Sequence, residues 1–258
     1  MARREHGTAP PSRTEWTILL GLLVLVVFSA VLPGLEQPST YHSFADHRDI
    51  AGIPNGANVL SNLAFVVAAL AIALGLLRNG AIQPVTRVAL AVAALGLVLT
   101  AAGSAYYHTG PDDRTLFWDR LPITLAFAGI VGAAVAQRVS PRTGTASAIA
   151  LALLGPATVL YWRATDNLMP YVLLQGGATI ALVLIVLVTA RRADPFPWWW
   201  LIGWYIAAKL AEMIDLPIFT WTGGAISGHT LKHVFAGVGA AGLALPLWRT
   251  SAASPASG

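Results

Sequence analysis

Runs of about 20 apolar residues, repeated along the chain and parted by short polar connections, constrain this sequence more than any other feature. A helix of that length crosses the hydrocarbon core of a bilayer. Because lipid offers backbone N–H and C=O groups no partners, the helix must satisfy them within itself. The runs cover 16–33, 57–78, 87–107, 120–137, 145–162, 169–190, 197–214 and 229–247. Breakers and charges fall between them, as in RNGAIQP (78–84), VSPRTG (139–144) and RRADPFP (191–197). The pattern predicts an all-α, polytopic membrane helical bundle with eight spans. The first run follows Arg3, Arg4 and Arg13, as a signal peptide would. Its length exceeds the roughly 7–15 residues of a signal core and no small-residue cleavage site follows, so a retained helix is predicted.

Composition agrees. Of the 258 residues, 56% are hydrophobic and only 11% charged, where soluble domains carry roughly 25% charged residues. The net charge of +4 comes from arginines scattered through the connections, with no basic stripe, so no nucleic-acid partner is expected. Cysteine is absent, and any metal must be held by imidazole, carboxylate or hydroxyl groups.

The basic residues also predict orientation. With eight crossings both termini lie on one side, together with Arg3, Arg4, Arg13, Arg78, Arg87, Arg138, Arg142, Arg191, Arg192 and Arg249. Arg48, Arg114, Arg120 and Arg163 fall on the other. Cytoplasmic connections hold the excess of Arg and Lys, so both termini are expected in the cytoplasm. Trp198, Trp199 and Trp200, after Pro197, read as an interfacial aromatic belt.

Three histidines sit at the ends of apolar helices, where a polar side chain needs a partner or a function. His229 and His233 in GHTLKH are spaced i,i+4 and share a helical face, as do Ser104 and His108 in GSAYYH. Asp119, in FWDRLP, opens the following span. Counting crossings brings all five residues to the external side. Three imidazoles with one open position form a typical catalytic zinc arrangement, in which bound water is acidified toward neutrality.

The stretches NVLSNLAF (58–65), GSAYYHTGPDDRTLFWDRLPIT (103–124) and GHTLKHVFA (228–236) resemble the alkaline ceramidases, seven-helix enzymes of a membrane hydrolase superfamily that includes the adiponectin receptors. The resemblance spans about residues 41–247. It implies a cytoplasmic tail at 1–15, an extra transmembrane helix at 16–34, an external loop at 35–56, a seven-helix core at 57–247 and a cytoplasmic tail at 248–258. It further implies that His108, His229 and His233 bind zinc near the extracytoplasmic side. Asp119 would orient or deprotonate the zinc water, and Ser104 would support the site or stabilise the oxyanion. The activity so implied is cleavage of the N-acyl amide bond of a ceramide-like membrane lipid. A seven-helix lipid receptor or sensor with a structural zinc site is the alternative. A transporter is disfavoured, since the ionisable groups gather near one boundary rather than along a midplane pathway.

The family also carries an acidic Ca2+ site around its first core helix. Asp46, Asp49 and Asn55 are the candidate oxygen ligands here, although the acid-rich order is incomplete. Lys209, Glu212 and Asp215 lie at i, i+3 and i+6 of the run 197–214, and the first two are predicted to pair. Asn58, Ser61 and Asn62 follow helical spacing and are expected to bond across helices or brace the site. Lys232 is read as pointing away from both neighbouring histidines and is given no task.

Overall fold

The computed structural model describes residues 31–79, 81–189 and 194–249, together with Arg13, Glu15, Trp16, Thr17, Leu20, Gly21, Val24 and Phe28. Among these residues the regular structure is helical, with no strand beyond an isolated Ile50–Ile53 bridge. Among the described residues six helices are long and apolar enough to cross a membrane: α1 (Gly56–Arg78), α2 (Pro84–Thr109), α3 (Asp113–Arg138), α4 (Pro141–Thr165), α5 (Met169–Val188) and α8 (Gly228–Trp248). The chain is thus a multi-pass helical membrane protein. Between α5 and α8 lie α6 (Trp198–Met213) and the short α7 (Asp215–Trp221). Of the first predicted span, Trp16, Thr17, Leu20, Gly21, Val24, Phe28 and Val31 are described and helical. Leu32 and Pro33 are described but not helical, and the span's remaining positions, most of the 1–15 tail and residues 250–258 lie outside the described residues.

The predicted continuity from Lys209 through Asp215 is not found. The helix stops at Ile214, which has φ −112° and ψ 40°. Pro217 explains the break, because its ring clashes with the carbonyl four residues back and it lacks the N–H that would continue the ladder. Asp215 is released from the Lys209–Glu212 face and turns to another task at the start of α8.

Of the helix starts fastened by side chains, two stand at the same end of the bundle. Asp112 Oδ1 accepts from Thr115 N at 2.6 Å, and Thr115 Oγ1 accepts from Asp112 N at 3.1 Å, a reciprocal box at the head of α3. Ser227 Oγ accepts from Thr230 N at 3.1 Å and starts α8. These heads, the head of α1 and the tail of α2 meet at one end of the bundle, beneath the segment 35–55.

The α2–α3 pair packs most extensively in the fold. Glycine permits this closeness, for a Cβ on Gly103 would lie 2.0 Å from the Trp118 carbonyl oxygen. The contact falls one residue from Ser104 and one from Asp119, so the helix approach and the polar residues are set by a single crossing. Gly103→Ala is expected to cost about 1–3 kcal/mol by forcing the helices apart. Gly203→Ala, where a Cβ meets nothing within 4 Å, is expected to be near neutral. Thermal unfolding of both variants in the same detergent checks the contrast.

Candidate metal centre

His108 arrives from the tail of α2, while His229 and His233 stand one turn apart at the head of α8. All three are buried, with 0%, 4% and 2% of their surface exposed, and ligand atoms from the three rings lie within 4.8 Å of one another. Ring centroids are 4.9–5.0 Å apart in every pair. The Nε2 atoms of His108 and His229 face each other at 3.3 Å. The predicted convergence of three imidazoles is therefore found, and the trio can hold a metal ion.

What aims each ring is specific. His233 Nδ1 lies 2.8 Å from Ser61 Oγ, which leaves Nε2 for an ion. Ser61 thus braces the site, one of the two roles its helical spacing had offered. His229 is fixed through its backbone, where its N–H donates to Asp215 Oδ1 at 2.7 Å. The other oxygen of Asp215 accepts from Ala45 N at 2.8 Å, so one carboxylate ties the outer segment to the head of α8. His108 Nδ1 has no hydrogen-bond partner among the described residues. That ring is held by packing against Phe44 and Tyr107, at centroid distances of 4.7 and 4.9 Å. Its carbonyl oxygen accepts from Asn55 Nδ2 at 2.9 Å.

The residues fit a metal. Three buried imidazoles with no carboxylate among them bring lone pairs toward one point, an arrangement that a cation relieves. Their nitrogens suit zinc and other first-row transition ions better than calcium or magnesium.

Asp119 and Ser104 are brought to the same place. Both are buried and line one cavity of about 340 Å³ together with His233. The cavity extends from this polar end between largely apolar side chains of α2, α3, α5, α6 and α8.

Lys232 corrects the sequence reading. Its Nζ lies 2.9 Å from His229 Nε2 and 3.0 Å from Glu212 Oε1, so it belongs to the site. Residues three apart on a helix are neighbours, and the long stem of lysine covers the remaining distance. The predicted Lys209–Glu212 pair is present, at 2.5 Å, so Glu212 is shared between two lysines. A metal at the triad would compete with Lys232 for the His229 lone pair, and Glu212 would keep the displaced ammonium paired. Phe44 was also missed, although it covers His229 at a ring distance of 4.4 Å. It stands in an irregular segment, where no periodicity marks the inward side chain.

The three calcium candidates have protein partners. Arg48 grips Asp46 through Nε and Nη2 at 2.8 and 2.7 Å. Asp49 Oδ1 accepts from Gly52 N at 2.8 Å, and Asn55 holds the His108 carbonyl. A cation at Asp46 would have to displace a bidentate guanidinium.

No protein-family model matches this chain, and no curated protein matches it at a significant level.

Two outcomes are expected. Purified protein should carry about one transition-metal ion per chain by elemental analysis, lost in the His229→Ala/His233→Ala variant; Ser61→Ala should weaken retention about 10–100-fold against a competing chelator. Arg48 also holds the Asp46 carboxyl below its usual range, chiefly by hydrogen bonding. A depressed acid stabilises the fold above its unfolded pKa and loses that contribution as pH falls through the folded value. The stability gap between wild type and Asp46→Asn should therefore be full near neutrality and close on acidification below about pH 4, as read by thermal unfolding across pH.

Proposed function

We propose that the chain is a zinc-dependent membrane amidase that cleaves the N-acyl bond of ceramide-like lipids to a fatty acid and an amine. The observation that carries this reading is the triad of buried imidazoles, of which His233 lines a cavity that is polar at one end and apolar along its length. In the same reading α6 and the run at 16–34 are two further spans, giving a seven-helix core with one added helix. The centre would then lie near the extracytoplasmic boundary, with both termini in the cytoplasm.

His108, His229 and His233 would hold the zinc, which when bound supplies an acidified water and polarises a carbonyl. The chain's own residues do the rest. Asp119, beside Ser104, accepts the proton lost by the attacking water and returns it to the departing amine nitrogen. Ser104 orients that carboxylate by hydrogen bonding and adds a donor for the oxygen that gains charge as the carbonyl is attacked. The apolar walls take the acyl chain, so the amide reaches the polar end without its tail entering water.

Purified protein given N-acyl sphingoid lipids in mixed micelles should release fatty acid, and chelator should stop it. His229→Ala should abolish release, and Asp119→Asn should lower kcat at least about 100-fold, the order expected for loss of a general acid–base. Release that persists in His229→Ala would remove this mechanism. Tight metal with no turnover on any acyl amide would instead favour a lipid sensor with a structural ion.

A further inference from the structure

Arg120, one residue beyond Asp119, has no part in the chemistry above. It is only 5% exposed, yet it lines the same cavity. Its guanidinium carbon lies 4.4, 5.2 and 5.4 Å from the ring centroids of Trp162, Tyr171 and Tyr41. Such rings stabilise a cation but leave its N–H edge free for in-plane hydrogen bonds. Nη2 uses that edge to donate to Gln37 Oε1. Nη1 is fully buried and has no partner among the described residues. Among the described residues no carboxylate forms an ion pair with this arginine.

The charge inventory of the cavity sharpens the point. Its lining holds three cations, Arg120, Lys209 and Lys232, against two acids, Asp119 and Glu212. Glu212 is already paired with both lysines, and Asp119 forms no ion pair with Arg120. An enclosed site with a surplus cation and an unused donor is completed by an anion.

We propose that Arg120 is an anion receptor in the polar end of the cavity and selects lipids whose headgroup bears a carboxylate or phosphate. The inference rests on reading the cavity as the lipid site and narrows its substrates to acidic N-acyl lipids. The acid accepts hydrogen bonds from the guanidinium in its own plane, while Trp162 and the two tyrosines hold that plane in place. Arg120 is therefore a specificity-determining residue.

The test is equilibrium binding to metal-loaded, full-length protein in nonionic detergent with two uncleavable probes, octadecyloxyacetic acid and 2-octadecyloxyethanol. They differ only in a carboxylate against a hydroxymethyl. Wild type should bind the acid at least about tenfold more tightly, as a charge-assisted bond requires. Arg120→Gln should bring the two within about twofold while leaving the alcohol's affinity in place. Equal affinities in wild type would overturn the proposal, and so would a preference that survives Arg120→Gln, since the carboxylate would then sit elsewhere, as at the metal. Should that variant fail to fold, a photoactivatable acid probe with its diazirine beside the carboxylate decides in wild type. Crosslinks to Gln37, Tyr41, Trp162 or Tyr171 support the site, and crosslinks confined to the head of α8 overturn it. Neither ether contains an amide, so this result is independent of turnover. Absent fatty acid release would remove the amidase alone, and equal binding would remove the anion receptor alone.

Discussion

An ionisable side chain inside a membrane bundle has no water to fall back on, and each must find its counterpart within the protein. Nearly everything at the histidine end of this molecule follows from that requirement. Glu212 lies between Lys209 and Lys232, Asp46 is clasped by Arg48, and Asp215 accepts two backbone N–H groups from separate segments. Arg120 is one exception, and three imidazoles without an acid among them are another, whose convergence calls for a cation.

The polar groups also do the work of assembly. Thr230 Oγ1 donates to Asn58 Oδ1 at 2.8 Å, while Asn58 Nδ2 donates to the Asp46 carbonyl at 3.1 Å. One amide thereby joins α1, α8 and the outer segment. Because apolar helices slide in lipid without a strong hydrophobic preference for one another, such bonds and close glycine contacts define the register. Gly228, whose Cβ would lie 2.1 Å from the Ala211 carbonyl, sets α8 against α6 one residue before His229. Packing and chemistry are thus fixed by neighbouring atoms, and a shift of either helix would scatter the triad.

The outer segment is as much a part of the site as the helices. Phe44 covers two of the rings, and His42 Nδ1 lies 2.9 Å from Tyr107 Oη. Gln37 and Tyr41 close over Arg120. A segment that looks like a connection in the sequence supplies the roof of the cavity, which keeps bulk water from a centre whose electrostatics depend on low polarity.

Much of this was legible in the linear chain. Apolar runs of span length predict helices wherever they occur, because backbone satisfaction in lipid is a local matter. The i,i+4 pair His229–His233, and the parity that brings His108 to the same end, needed only helical geometry and a count of crossings. The three rings were therefore predictable as companions. Their spacing, the role of Ser61 in aiming His233 and the placement of Lys232 were not, since each depends on how helices distant in sequence rotate about their axes. Arg120 shows the division most clearly. Its position in an apolar helix marked it only as a charge on one side of the bundle. Its aromatic surroundings come from residues 41, 162 and 171, and only the packed fold could surround its guanidinium while leaving one nitrogen unbonded.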